Sequence, residues 1–104
     1  MNYKICTLKD ILNHFNISVD LPGDLLNLEY GKSFIDEGTL EVNTNDLIII
    51  SIPSYSGGKS IIRIQPNKDE PTLSEEDYDK NGNRERGGME YIIQEIGMAI
   101  VRYD

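Results

Sequence analysis

The hydrophobic pattern is most regular over residues 46–64, where two isoleucine-rich runs flank a Ser-Tyr-Ser-Gly-Gly-Lys turn. β-Branched residues favour strands, and glycine supplies the positive φ angles that tight turns require. This segment therefore predicts a β-hairpin. The turn also matches the end of a phosphate-binding loop, but Pro53 replaces the first glycine of that motif and a strand-like run follows where a helix is needed.

Residues 7–15 have the spacing of an amphipathic helix. Apolar side chains recur at i, i+3, i+4 and i+7, namely Leu8, Ile11, Leu12 and Phe15. Thr7 is a favourable N-cap, and Asp10 stands where a carboxylate stabilises the positive end of the helix dipole. The pattern predicts one short helix near the N-terminus.

Residues 10–18 resemble the first helix and turn of a helix-turn-helix DNA-binding domain. The resemblance covers nine residues and implies that a recognition helix should follow. The next segment, 19–29, instead contains Pro22-Gly23 and three acidic residues, where phosphate contacts would need bases. The sequence therefore argues against sequence-specific binding of DNA.

The remaining segments have weaker patterns. Residues 17–21 alternate as in a short strand, 24–30 fit a helix or a strand, and 32–42 predict a small hairpin. Over 89–103 helix and strand patterns overlap, and Gly97 favours a helix at 89–96 followed by a strand at 98–103. Together the elements predict an α+β protein, a small and mostly antiparallel sheet with one or two short helices.

Residues 67–88 form an acidic stretch whose single aliphatic side chain is Leu73. Such a segment buries too little apolar surface to offset the entropy lost on ordering. The sequence therefore predicts one domain, 1–104, with a long, mobile acidic loop at 67–88.

The charge of the chain limits its partners. Its 104 residues include 18 acids and 10 bases, a formal net charge of −8. This charge opposes direct binding to nucleic acids or anionic membranes and favours a protein with a basic surface. One cysteine and the lack of a membrane-spanning or signal-like apolar run predict a cytoplasmic protein.

Exposed tyrosines beside acidic residues indicate where a partner would bind. Tyrosine is a common anchor of protein interfaces, and nearby carboxylates speed encounter with a basic surface. The predicted partner-binding residues are Glu75, Glu76, Asp77, Tyr78 and Asp79 in the acidic stretch, and Tyr55 at the hairpin tip.

Residues 77–83 reproduce the first half of a calcium loop similar to that of EF-hands. Asp77, Asp79 and Asn81 stand at positions one, three and five, and a glycine follows at six. The second half departs from the pattern, because position twelve is Gly88 where a bidentate glutamate is required. No metal is therefore predicted, and a weak calcium site remains an alternative.

No complete catalytic motif is present. His14 is the only histidine, and the acids cluster where water is hardest to exclude. The sequence predicts no catalytic residue and no cofactor. It favours a small acidic interaction module, an inhibitor or immunity-type protein by analogy with small acidic proteins of phages and mobile elements, whose partner could be a nucleic-acid-binding enzyme. The alternative is a small ligand binder, for calcium at 77–83 or phosphate at 54–60.

Overall fold

The fold is an antiparallel sheet with short helices on one face. The computed structural model describes residues 5–30, 35–54, 57–85 and 88–94, and the backbone of 97–103. Within these residues the helical elements are α1 (Leu8–His14), α2 (Gly23–Leu26) and a 3-10 helix, η1 (Ile35–Glu37). The strands are β1 (Thr39–Asn43), β2 (Ile48–Pro53), β3 (Lys59–Gln65), β4 (Thr72–Tyr78), β5 (Met89–Gln94) and β6 (Gly97–Tyr103).

The six strands form a meander, in which each strand pairs with the one before it along the chain. β2 and β3 form the predicted hairpin, with Ile48 opposite Ile64 and Ile50 opposite Ile62. The turn between them contains Gly57 at a φ of 92°, a conformation that glycine adopts at little cost. The hairpin prediction is therefore confirmed.

The core lies between one face of the sheet and the helices. In β2, buried residues alternate with half-buried ones, as a sheet with one covered face requires. The covered face presents Ile48, Ile50, Ile52, Ile62, Ile64 and Leu73, which pack with Leu8, Ile11, Leu12 and Leu25 of the helices. The opposite face carries no helix among the described residues, and we call it the open face.

Helix α1 begins with a reciprocal cap. The Thr7 hydroxyl accepts the Asp10 N–H at 3.2 Å, and the Asp10 carboxylate accepts the Thr7 N–H at 3.0 Å. These two bonds satisfy amide groups that the helix itself leaves without partners. The helix is followed by Asn16 at a φ of 56°, a common helix stop. The predicted helix and its cap are confirmed.

Two predictions for the N-terminal half are wrong, and one that the sequence left open is decided in part. Residues 17–21 form no strand. For 24–30, where the sequence allowed a helix or a strand, the structure has the short helix α2, which ends at Leu26. The hairpin expected at 32–42 is wrong over its described part, because Ile35–Glu37 form η1 and the strand begins only at Thr39. Residues 32–34 lie outside the described residues.

The helix expected at 89–96 is also wrong, since Met89–Gln94 form β5. Tyr91 lies opposite Leu73 of β4, and both side chains are buried. Pairing with two neighbouring strands outweighs the helical spacing of the apolar residues, because tertiary contacts override weak local propensity. The strand expected at 98–103 is confirmed as β6.

The long acidic loop at 67–88 is not confirmed. Residues Thr72–Tyr78 form β4, which pairs with β3 on one side and β5 on the other. β3 pairs with the whole strand and β5 with Thr72–Glu75, so both edges of that first part have backbone partners, and Thr72 and Leu73 are buried. A strand with few apolar side chains is stable here because it lies inside the sheet.

This arrangement predicts the pattern of amide exchange. We expect the amides of Thr72–Glu75 in β4 to exchange at least about a hundredfold more slowly than those of the exposed turn 67–70, because opening this part of the strand breaks two ladders. Residue-resolved hydrogen–deuterium exchange checks this. Equally fast exchange in both segments would instead support the mobile loop predicted from the sequence.

The structure is thus mostly sheet, with short helices only. The longest of the described helices has seven residues, and none of the described helices has the length and apolar character needed to cross a membrane.

Candidate functional site

Strand β4 divides the predicted partner-binding residues between the two faces of the sheet. Successive side chains of a strand point to opposite sides. Glu75 lies opposite the buried Ile62 and therefore faces the helices. Glu76 and Tyr78 belong to the open face. Among the described residues, Glu75 and Glu76 therefore do not share one face of the sheet.

Glu75 belongs to a polar cluster with two tyrosines, in which Tyr91 is buried while Glu75 and Tyr30 are half-buried. The hydroxyls of Tyr30 and Tyr91 act on its carboxyl, and each lowers the pKa of that group. Burial raises the pKa of the Glu75 carboxyl above its ordinary value, and the hydroxyl of Tyr30 lowers it only in part. The same burial raises the pKa of Tyr91, with a further contribution from the Glu75 charge. Glu75 is half-buried on the covered face, and its predicted role in partner binding stays a prediction.

Tyr30 reaches this cluster from the segment after α2. Its N–H donates to the Cys6 carbonyl at 2.9 Å, and Thr7 and Glu29 form an isolated bridge alongside. Burial, and next the Glu75 charge, raise the pKa of the Tyr30 hydroxyl well above its ordinary value. The cluster thus connects the chain around α1 and α2 to the centre of the sheet.

The open face presents a connected group of three side chains, which we call the Arg63–Glu76–Tyr78 group. The Arg63 guanidinium donates to the Glu76 carboxylate at 3.1 Å. The Tyr78 hydroxyl donates to the other oxygen of the same carboxylate. This bond is the main cause that raises the pKa of Tyr78. The carboxylate fixes the orientation of both neighbours.

Sequence reasoning missed Arg63. Its signal was present, because Arg63 is the one charged residue of the run Ile61-Ile62-Arg63-Ile64, and alternation places it opposite the isoleucine face. Its pairing with Glu76 could be inferred only once β4 was known to lie beside β3.

Asp77 and Asp79 have partners within the chain. The Ser60 hydroxyl donates to Asp77 at 2.7 Å. Asp79 accepts the backbone N–H groups of Asn81 and Asn83, each at 2.9 Å. Aspartate commonly stabilises turns in this way. Both carboxylates therefore have a structural use in the loop that follows β4.

These bonds also bear on the calcium alternative. The carboxylate of Asp79 already binds the amides of its own turn, and Asp77 is tied to β3. In the described part of the chain, no three His, Cys, Asp or Glu side chains are grouped so as to hold a metal ion.

Folding also places bases beside the acidic stretch. Lys59 lies opposite Tyr78, and Arg84 forms a bridge with Tyr78 from the other side. Together with Arg63, these bases offset most of the charge that the linear sequence concentrates at 75–79. The region is a surface of mixed charge.

The hairpin tip gives little support to a phosphate site. The Gly57 N–H donates to the Ser54 carbonyl at 3.1 Å, the Ser54 N–H donates to the Gly58 carbonyl at 3.0 Å, and a strand follows. Tyr55, predicted to bind a partner, lies outside the described residues.

Comparison with known proteins gives no match among family models, curated proteins or solved structures. The functional argument therefore depends on the residues themselves.

Proposed function

We propose that the protein is a small acidic interaction module of α+β class, an inhibitor or immunity-type protein that binds a basic partner in the cytoplasm. The observation that carries the proposal is the Arg63–Glu76–Tyr78 group on the open face. Tyrosine and arginine are enriched among the residues that dominate binding energy. Side chains already held in place lose less entropy on binding, so the group suits an interface.

The overall charge has a different role from the group itself. A net charge of −8 attracts a basic partner over a distance of about 10 Å at moderate salt. Near β4 the charges largely cancel, so charge speeds the encounter while Tyr78 and its neighbours hold the complex. A nucleic-acid-binding enzyme is a suitable partner by this chemistry, and phage-type inhibitors offer the analogy.

The proposal predicts a large effect of Tyr78→Ala. With a partner isolated by tagged capture and then purified, we expect Kd to rise about tenfold or more, mainly through a faster off-rate. Glu76→Gln should have a smaller effect, because the amide keeps one acceptor for the tyrosine hydroxyl. Surface plasmon resonance measures both rates.

A matched control is the double variant Asp69→Asn, Glu70→Gln, which removes two exposed charges in the turn before β4. It should slow association at low salt and leave the off-rate unchanged. The proposal is wrong if Tyr78→Ala binds the purified partner like the wild type. Heat released by calcium or nucleotide in calorimetry, without any protein partner, would favour the ligand-binding alternative.

A further inference from the structure

The sheet ends in two strands that each have a single neighbour. In the order of the six strands, β1 and β6 lie at the edges, and no described strand pairs with their outer sides. Backbone N–H and C=O groups along such an edge can pair with a strand of another molecule. The edges are therefore the places where this sheet could extend through a second copy of the chain.

Strand β1 contains a β-bulge at its middle residue. Leu40 lies opposite Ile50 and Val42 lies opposite Ile49, so Glu41 is an extra residue without a partner in β2. A bulge bends the strand, increases its twist and interrupts the regular spacing of the backbone groups. A strand of a second molecule cannot follow such an edge over its whole length.

The other edge strand has the same irregularity. Glu90 of β5 lies opposite Arg102, and the next residue, Tyr91, lies opposite Ile100, so Val101 is the extra residue of β6. The pairs described for the three inner ladders, β2 with β3, β3 with β4 and β4 with β5, follow each other without a register shift. The bulges of the described sheet thus lie in its two outer strands, where bulges commonly limit further pairing.

The residue that forms the β1 bulge is also charged. Glu41 is exposed and lies at the centre of β1. In a two-fold antiparallel pairing centred on this strand, the central residue meets its own symmetry mate, so Glu41 would lie opposite Glu41 of the second copy. Like charges directly opposite each other destabilise a pair of strands. The net charge of −8 on each chain adds to this repulsion.

We propose that Glu41 and the bulge it forms keep β1 from pairing with a second copy of the chain, so that the sheet ends at this strand. The edge shares no residue with the Arg63–Glu76–Tyr78 group, and its role does not depend on the function proposed above.

The register makes deletion of Glu41 the sharpest test. The partners of β1 in β2 are the consecutive residues 48–51, so removing Glu41 leaves every pair between the two strands in place. The deletion variant should therefore fold, with a β1 that is regular and carries no charge. Its edge then presents an uninterrupted row of backbone groups to a second copy.

Sedimentation velocity over a range of protein concentrations measures the association. We expect a monomeric wild type, and a deletion variant that forms dimers or larger species with a dissociation constant at least about tenfold lower. Glu41→Gln keeps the bulge and removes the charge, so it should associate less than the deletion variant. Glu70→Gln removes an exposed acid from the turn before β4 and is the matched control, which should behave like the wild type.

A second substitution shows whether the association uses β1. Val42 is 37% exposed, so Val42→Lys is tolerated there. Added to the deletion, this lysine restores a charge to the edge strand and should return the protein to a monomer.

Three results would overturn the proposal. The first is a deletion variant that is folded and as monomeric as the wild type, and the second is association that Val42→Lys leaves unchanged, because another surface then causes it. The third is a wild type that dimerises with slowed amide exchange in β1. If circular dichroism shows the deletion variant to be unfolded, Glu41→Gln decides, and association no stronger than that of Glu70→Gln also overturns the proposal.

Discussion

Gly58→Ala should destabilise the protein by about 3 kcal/mol or more. A Cβ at this position would lie 1.9 Å from the Tyr78 carbonyl oxygen and 2.9 Å from its carbon. The obstacle is backbone, so no side-chain rotation relieves it. The hairpin tip would have to separate from the end of β4. The free-energy cost of that separation should exceed the usual cost of overpacking a core.

Other glycines of the chain provide matched controls. Gly57→Ala places a side chain at a φ of 92° without a collision under 3.4 Å, and should cost about 1–2 kcal/mol from backbone strain. Gly23→Ala meets no atom within 4 Å and begins α2, so it should be neutral or slightly stabilising. Urea denaturation measures all three. Equal stability of the Gly58 and Gly23 variants would contradict the contact between hairpin and β4.

The close approach at Gly58 shows what sequence reasoning could and could not reach. The turn was predictable, because two strand-like runs flanked adjacent glycines. The sequence analysis explained the glycines of this turn only by a need for positive φ angles. Gly57 does have a positive φ. Gly58 is required for a contact with a strand twenty residues later, and no local pattern shows such a contact.

Helix α1 was predictable for the opposite reason. Its cap and apolar stripe lie within nine residues, so the helix can be predicted from local sequence without knowing its tertiary contacts. Strand β4 was missed because its stability comes from β3 and β5, while its own sequence is mostly polar. Strand β5 was mistaken for a helix because its apolar spacing satisfied both periods, and pairing with β4 decided between them.

The candidate site was predicted in part. Glu76 and Tyr78 were expected to bind a partner and do lie on the open face, where that role remains a proposal. The sequence analysis assigned Glu75 to the same surface because it predicted a loop here. In a loop, adjacent side chains can point to the same side. In a strand, adjacent residues must point apart, and the partner of Glu75 is Tyr30, forty-five positions earlier in the chain.

The half-buried position of Glu75 leads to the second large effect, on the pH dependence of stability. The pKa of this carboxyl is raised in the folded protein, mainly by burial. The folded state therefore binds the proton more tightly than the unfolded chain does. The stabilisation from this group is fully present below the unfolded pKa of about 4.3 and is lost as pH rises through the folded pKa.

We therefore expect Glu75→Gln to unfold at a higher temperature than the wild type at pH 7 and above. The amide removes the half-buried charge and keeps an oxygen on the side of the two tyrosine hydroxyls. Near pH 4.5 the two proteins should converge. Each unit by which the folded and unfolded pKa differ corresponds to about 1.4 kcal/mol, so the gap between the two curves measures the shift directly.

Glu76→Gln is the matched control, one residue away on the open face. It also removes one carboxylate from β4, but weakens the half-buried pair with Arg63 at 3.1 Å, so it should be neutral or slightly destabilising at pH 7. Thermal unfolding of the three proteins between pH 4.5 and 8 distinguishes the positions. If Glu75→Gln is less stable than the wild type at pH 7, the carboxylate is satisfied in its charged form. The hydroxyls of Tyr30 and Tyr91 then outweigh burial by stabilising the ion, and folding lowers the pKa of Glu75 instead of raising it.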